Sequence, residues 1–244
     1  MASFRFPNET DTYREQRDAL LEAEVELRAR GEAVAEQRRR LPLGGRLGAD
    51  YRFRQWRDGA PEEIAFTELF GEHSSLILYT MMYGPAWDAP CPSCTSIVDA
   101  MDANWAVVGP SSAIAVVSAA AAKQLHDWAE TRGWTIPLYS GGESTYVTDY
   151  AGFEADDPSV VSCMNVFRRT DEGIFHTWAS ELLSRPMETG HPRHVDAIWP
   201  MWNLLDLTPQ GRGDAIIPQQ DFRHEYFTRH VLPQEADEDA CCES

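Results

Sequence analysis

Apolar residues fall seven apart at Tyr13, Leu20, Leu27 and Val34, Leu21 and Ala23 widen that stripe, and charged residues fill the other faces. The pattern predicts a helix opened by the capping-box sequence Thr12-Tyr13-Arg14-Glu15 and running to about Arg40, where Pro42 and Gly44-Gly45 end it. The stripe is expected to dock within the protein, and its use to pair two copies as a homodimer stays open. Residues 51–56 partly alternate, Asp58-Gly59 supplies a hairpin turn, and Ile64-Ala65-Phe66 forms the return strand. Leu76-Ile77-Leu78-Tyr79 is an unbroken apolar run, the pattern of a strand buried on both faces. A breaker-poor helix over 95–101 follows, then a second apolar strand over 113–118. The crossover between these strands is long enough for a parallel, right-handed βαβ unit. Residues 119–132 predict a helix with Leu125, Trp128 and Ala129 on one face and Gly133 at its end. A short extended segment spans 134–140. Residues 160–167 and 173–178 form an antiparallel hairpin about Thr170-Asp171-Glu172-Gly173. A Pro-, Gly- and His-rich insertion at 184–200 precedes a last helix over 197–205, and 222–231 predicts one more short helix.

Between the first buried strand and the helix after it lies Met81-Met82-Tyr83-Gly84-Pro85-Ala86-Trp87-Asp88-Ala89-Pro90-Cys91-Pro92-Ser93-Cys94. A strand that ends in a Gly/Pro loop and opens a helix with Cys-Pro-Ser-Cys has the build of a thioredoxin-type site. Backbone N–H groups at a helix start lack partners and the macrodipole is positive there, so a thiolate at Cys91 is favoured. Cys94 is one turn further on and within reach of a disulfide with Cys91. Pro92 suits the first helical turn, where the N–H it lacks has no partner in any case. Tyr83, Trp87 and Asp88 bracket the thiols as candidate pocket residues, and Trp134 and Ser140 are candidate supports. A negative Asp88 beside a thiolate raises the thiol pKa or relays its proton. A zinc site needs two further ligands at similar spacing. The adjacent pair Cys241-Cys242 sits instead in an acidic tail, so no metal ligands are assigned. Cys241 and Cys242 are candidate accessory thiols, a mobile dithiol that delivers electrons to a Cys91–Cys94 disulfide. His191-x-x-His194 lies in the Pro/Gly insertion and is not assigned to a metal. Cys163 reads as a small buried hydrophobe whose strand position approaches Cys91.

Composition narrows the partners. The 244 residues carry 21 Lys+Arg against 39 Asp+Glu, a formal net charge of −18. That surface repels phosphate backbones and anionic lipid, so neither nucleic acid nor membrane is an expected partner. No signal-type apolar run opens the chain and none is long enough to span a bilayer, so a cytoplasmic protein is expected. Five cysteines are too few for a disulfide scaffold and fit thiols that act transiently. No flavin, nicotinamide or phosphate-binding glycine motif is legible, so no cofactor is expected and an external thiol must supply electrons.

The loop Gly84-Pro85-x-Trp87-Asp88 to Cys91-Pro92-Ser93-Cys94, then Gly133-Trp134-Thr135-x-Pro137 and Phe175-His176-Thr177, resemble the thioredoxin-like domain-of-unknown-function family 899. Asn203-Leu204-Leu205-Asp206-Leu207-Thr208-Pro209-x-Gly211-Arg212 and His224-Glu225-Tyr226 extend the resemblance over nearly all of residues 10–227. It implies a thioredoxin fold close to the peroxiredoxin and alkyl-hydroperoxide-reductase branch. Two departures accompany it. Where thioredoxins place a cis-proline before the third strand, Ser162 or Cys163 holds the equivalent spot. Where peroxiredoxins carry Thr or Ser three residues before the reactive cysteine, this chain has Asp88.

The expected architecture is α/β, a thioredoxin-like central mixed sheet flanked by helices. Residues 1–59 form an N-terminal helix and strand extension, 60–207 the thioredoxin-like domain, and 208–244 a C-terminal extension with an acidic disordered tail. The expected function is a thiol–disulfide oxidoreductase or thiol-dependent peroxidase acting on a protein disulfide, peroxide or small molecule. Its rivals are a soft-metal, Cu(I)-type binding or chaperone protein using the same thiols, and a non-catalytic assembly module.

Overall fold

The computed structural model describes residues 5–151, 157–181 and 199–211. Contacts divide the chain into two compact units, Met1–Pro42 and Leu43–Ser244. The first contains helix α1, Asp11–Arg39. Its cap is Thr10 rather than Thr12: the Thr10 hydroxyl accepts the Tyr13 N–H at 3.1 Å, and Thr12 is already helical. Gly31 does not break the helix, because its cost of about 1 kcal/mol is spread over a long run of Ala, Glu and Arg. Within this unit three of the four residues of the stripe expected to dock are uncovered, Tyr13, Leu20 and Leu27 keeping 53%, 53% and 73% of their surface, whereas Val34 is half-buried.

The second unit is built on a seven-stranded mixed sheet. Its strands are β1 (Arg52–Arg57), β2 (Ala60–Ala65), β3 (Ser75–Met81), β4 (Ala113–Ser118), β5 (Leu138–Ser140), β6 (Cys163–Thr170) and β7 (Gly173–Ala179). They lie in the order β2-β1-β5-β4-β3-β6-β7. β3, β4 and β5 run parallel, whereas β6 is antiparallel to β3 and β7 antiparallel to β6. Helix α2 (Pro92–Val108) joins β3 to β4, and α3 (Ala122–Arg132) precedes β5. This βαβ unit, helix and antiparallel hairpin make the thioredoxin-like fold.

The β1–β2 hairpin, expected to belong to an N-terminal extension, is the edge of this same sheet, joined through Arg54 opposite Ser140. Its turn residues Asp58 and Gly59 both take positive φ, 52° and 81°, the conformation a two-residue hairpin of this twist requires. Pro61, Glu62 and Glu63 blunt the outer strand against further pairing. At the opposite edge residues 44–47 run along β7, exchanging bonds with His176 and Ile174.

Alternation along β3 divides the core. Ile77, Tyr79 and Met81 face one cluster with Cys91, Cys94, Ile97, Val98 and Met101, whereas Leu76 and Leu78 face the other with Phe66, Tyr146 and Phe167. Each large apolar side chain sealed this way contributes roughly 1.5–3 kcal/mol. Helix α2 meets the first cluster because Cys94, Ile97, Val98 and Met101 fall at i, i+3, i+4 and i+7.

Two boundaries differ from expectation. α3 starts at Ala122, because the Ser118 hydroxyl takes the Ala120 N–H and holds the chain extended past β4. β6 starts at Cys163, because Asp157 caps a 3-10 turn over Pro158–Val160 and removes residues 160–162 from the strand. Met201–Asp206 forms α4, the described part of the helix expected over 197–205. The short helix at 222–231, His191, His194, and the tail with Cys241 and Cys242 lie outside the described residues.

Candidate functional site

The site grows from the C-terminal end of β3. The loop that leaves it is closed at its base by Cys91 N–H donating to Met82 O at 3.0 Å. From α3, the Gln124 side-chain amide donates to Trp87 O at 2.6 Å and to Gly84 O at 3.4 Å. Gly84 has no room for a side chain: a Cβ would stand 2.2 Å from Ser159 Oγ and 2.6 Å from Ser159 Cβ. The loop is therefore pinned from β3, from α3 and from the turn before β6, and it delivers Cys91 to the N-cap of α2 with Pro92 at the first helical position. Thr95 secures that cap by donating both its N–H and its hydroxyl to Cys91 O, at 2.9 and 3.1 Å.

Both thiols are free and buried, with 5% of Cys91 and 2% of Cys94 exposed. Their environments push them apart. The Cys94 S–H donating to Cys91 is the largest effect on Cys91, whose pKa falls to about 7 against the opposing cost of burial. The backbone N–H groups of Cys94 and Ser93 and the Ser93 hydroxyl add to the stabilisation of its thiolate. In the resting geometry that Ser93 hydroxyl is buried and has no hydrogen-bond partner among the described residues. Cys94 moves the other way. As the donor to Cys91, and as a group sealed from water next to that thiolate, it is held well above the ordinary thiol value. Two hydroxyls face it: Ser162 Oγ lies 3.8 Å from Cys94 Sγ and 3.1 Å from Tyr79 Oη.

The residues expected around the thiols are placed unequally. Tyr83, Trp87 and Asp88 line one cavity of about 460 Å³ together with Gln124, Asp127 and Trp128. Asp88 is exposed there, and the leading influences on the Cys91 and Cys94 thiols are each other, burial and the hydrogen bonds next to them. Trp134 is a clamp on the body of α2: its indole N–H donates to Asp99 at 2.8 Å. Ser140 sits in β5, with β4 between it and the strand that leads to the thiols. Cys163 does not approach Cys91. It lies opposite Thr80, on the face of β6 away from Met164 and the dithiol, with its Sγ 3.6 Å from Ser180 Oγ.

Tyr79, Ser93 and Gln124 are the contributors that sequence reasoning missed. Tyr79 alone carried a signal, since a tyrosine inside a doubly buried strand must find a partner for its hydroxyl. Of Ser162 and Cys163, the two positions expected to face the thiols in place of a proline, Ser162 is the one that lies against Cys94. Among the described residues no group of three or more His, Cys, Asp or Glu is arranged to hold a metal, and no helix is long and apolar enough to cross a membrane.

A βαβ unit and following hairpin, with a Cys-x-x-Cys pair at the mouth of the first helix, define a protein of the thioredoxin-like class. The chain belongs to the family described as "Bacterial protein of unknown function (DUF899)", which matches residues 4–230. No curated protein matches it. Among solved structures, PrxQ of Xylella fastidiosa is similar at 12% identity and a TM-score of 0.44, over 67% of this chain and 96% of that one. AhpC of Enterococcus faecalis is similar at 16% identity and 0.43, over 72% and 98%. The peroxidoxin BcpB of Mycobacterium tuberculosis is similar at 16% and 0.41, over 68% and 98%.

Proposed function

We propose that the protein is a thiol-dependent oxidoreductase in which Cys91 attacks and Cys94 resolves. The observation that carries this reading is the asymmetry of the pair: Cys91 caps a 17-residue helix, and Cys94 lies one turn inside it, sealed from water. The Cys91 thiolate attacks one sulfur of a disulfide R–S–S–R, forming Cys91–S–S–R and releasing RS⁻. Cys94 then gives up its proton, attacks Cys91 Sγ, expels the second RS⁻ and leaves the Cys91–Cys94 disulfide. An external thiol returns two electrons to close the cycle. A hydroperoxide is the alternative oxidant: the Cys91 thiolate attacks its terminal oxygen, the O–O bond breaks and the alcohol or water leaves, and Cys94 condenses with the sulfenic acid so formed, losing water. The cavity beside Tyr83, Trp87 and Asp88 is the proposed approach for the substrate, and the small exposure of Cys91 favours a slender one.

The test is anaerobic oxidation of the reduced protein by hydroxyethyl disulfide or hydrogen peroxide, with mapping of the thiols consumed. The expected result is loss of Cys91 and Cys94 together and retention of Cys163. In Cys94→Ser the Cys91 product should persist, as a mixed disulfide with the first oxidant or a sulfenic acid with the second, which identifies the substrate class. Undiminished oxidation of Cys91→Ser would refute the assignment.

A further inference from the structure

The resolving step presents a problem that the fold must solve. Cys94 is 2% exposed and attacks only as a thiolate, yet burial and the neighbouring Cys91 both keep it protonated. Its proton therefore needs an acceptor inside the protein and a way out. Two hydroxyls stand at the sulfur. Tyr79 comes from β3, is 1% exposed, and has its Oη 3.1 Å from Ser162 Oγ. Ser162 precedes β6, is half-buried, and has its Oγ 3.8 Å from Cys94 Sγ, placed to receive the S–H once Cys91 is tied up in the mixed disulfide and no longer accepts it. Of the three groups only Ser162 reaches towards solvent. The titratable groups that face Cys94 are Cys91, from the loop, and Tyr79, from β3.

We propose that Ser162 is the proton relay of the resolving thiol and that Tyr79 stabilises the thiolate so formed. This assignment rests on the oxidoreductase reading above. The proton on Cys94 Sγ passes to Ser162 Oγ as the hydroxyl proton of Ser162 leaves outward to the departing RS⁻ or to water. The freed electron pair on Cys94 Sγ forms the bond to Cys91 Sγ while the Cys91–S–R bond breaks and its pair leaves on sulfur. Atoms and charge balance without any further reagent. Tyr79 cannot take the proton's place in the relay by ionising, because burial holds its phenol protonated. It stays a donor, turned to Ser162 while Cys94 is a thiol and to the sulfur once Cys94 has ionised. A serine at this position thus supplies what a proline or an apolar residue does not, a hydroxyl beside the sulfur on a residue that is only half-buried.

Dithiobis(nitrobenzoate) reads the two half-steps separately, since attack by Cys91 releases one coloured thiolate and resolution by Cys94 a second. The experiment uses the full chain with Cys241→Ser and Cys242→Ser, so that the tail does not contribute. In Ser162→Ala the ratio of second to first rate constant is expected to fall at least about a hundredfold, the lower end of what a positioned proton acceptor contributes. Ser162→Thr, which keeps the hydroxyl, should restore the ratio. In Tyr79→Phe the midpoint of the second release should move to higher pH, while the first release keeps its profile. A second release with unchanged ratio in Ser162→Ala and unchanged midpoint in Tyr79→Phe overturns the relay. If Tyr79→Phe does not fold, the serine series decides, with the first release reporting that the site is assembled. No second release in the parent protein would refute the oxidoreductase reading itself.

Discussion

The thiol of Cys91 is set by a neighbour that is itself a thiol, so the two titrate as a pair. Alkylation of Cys91 is predicted to turn on near pH 7 in the native chain. In Cys94→Ala, which removes the largest stabilising donor, the midpoint should rise towards the free-thiol value of about 8.5. Rates of iodoacetamide modification against pH, followed by mass spectrometry of the Cys91 peptide, measure both; coincident midpoints would show that the helix N-terminus acts alone. The same shift couples to stability. The folded chain holds Cys91 ionised where the unfolded chain still binds its proton, so this group adds stability as pH rises from about 7 to about 8.5 and loses it as pH falls through 7. Cys94, held protonated in the fold, works against that gain at higher pH. A second residue-scale consequence concerns Gly84. An alanine there meets Ser159 at 2.2 and 2.6 Å, and Ser159 is short and buried, so it has no flexible end to swing aside. We predict that Gly84→Ala destabilises by about 1–3 kcal/mol in denaturant unfolding, and that adding Ser159→Gly recovers most of the loss.

At the scale of elements, α2 is held by two carboxylates one turn apart. Asp102 Oδ1 accepts the backbone N–H groups of Thr135 and Ile136 at 2.7 and 2.8 Å, and Asp99 accepts the Trp134 indole and the Arg132 guanidinium. The N–H of the buried Ile136 loses its partner in Asp102→Ala, which costs more than a lost surface ion pair, so this change should destabilise more than breaking an exposed pair such as Lys123–Asp127. A loss of about 1–3 kcal/mol with an unchanged Cys91 titration is expected, and a shifted titration would mean that the clamp also aims the thiol. These contacts explain what was legible in the chain and what was not. The βαβ unit, the cysteine pair and the Asp58-Gly59 hairpin are readable because each depends on local pattern: an apolar run, a helix start, a turn needing positive φ. The roles of Trp134, Ser140 and Asp88 depend on which strands and helices become neighbours, which no local pattern reveals. Trp134 fell on Asp99, 35 residues back, rather than on the thiols. The onset of β6 was misplaced for a related reason: a single Asp157 side chain closes a turn on residues that otherwise read as strand.

For the whole molecule the dominant fact is charge. At −18, the chain is predicted to slow the approach of an anionic disulfide and to leave a neutral one unaffected. The rate with dithiobis(nitrobenzoate) should therefore climb between about 0.01 and 0.15 M salt, as the screening length falls from about 30 to about 8 Å, whereas dipyridyl disulfide should show little change. Equal salt dependence for both reagents would mean that the surroundings of the thiols, rather than the summed field, govern access. One feature of the sheet bears on how such a molecule is made. Ser162 and Cys163 are adjacent, yet one touches the dithiol and the other lies behind the sheet, separated only by the parity of their positions against β3. Slippage of β6 by one residue exchanges them and sets a third sulfur beside Cys94. Refolding in the presence of an oxidant should accordingly collect a mis-bridged isomer containing Cys163, and refolding under reductant followed by oxidation should not.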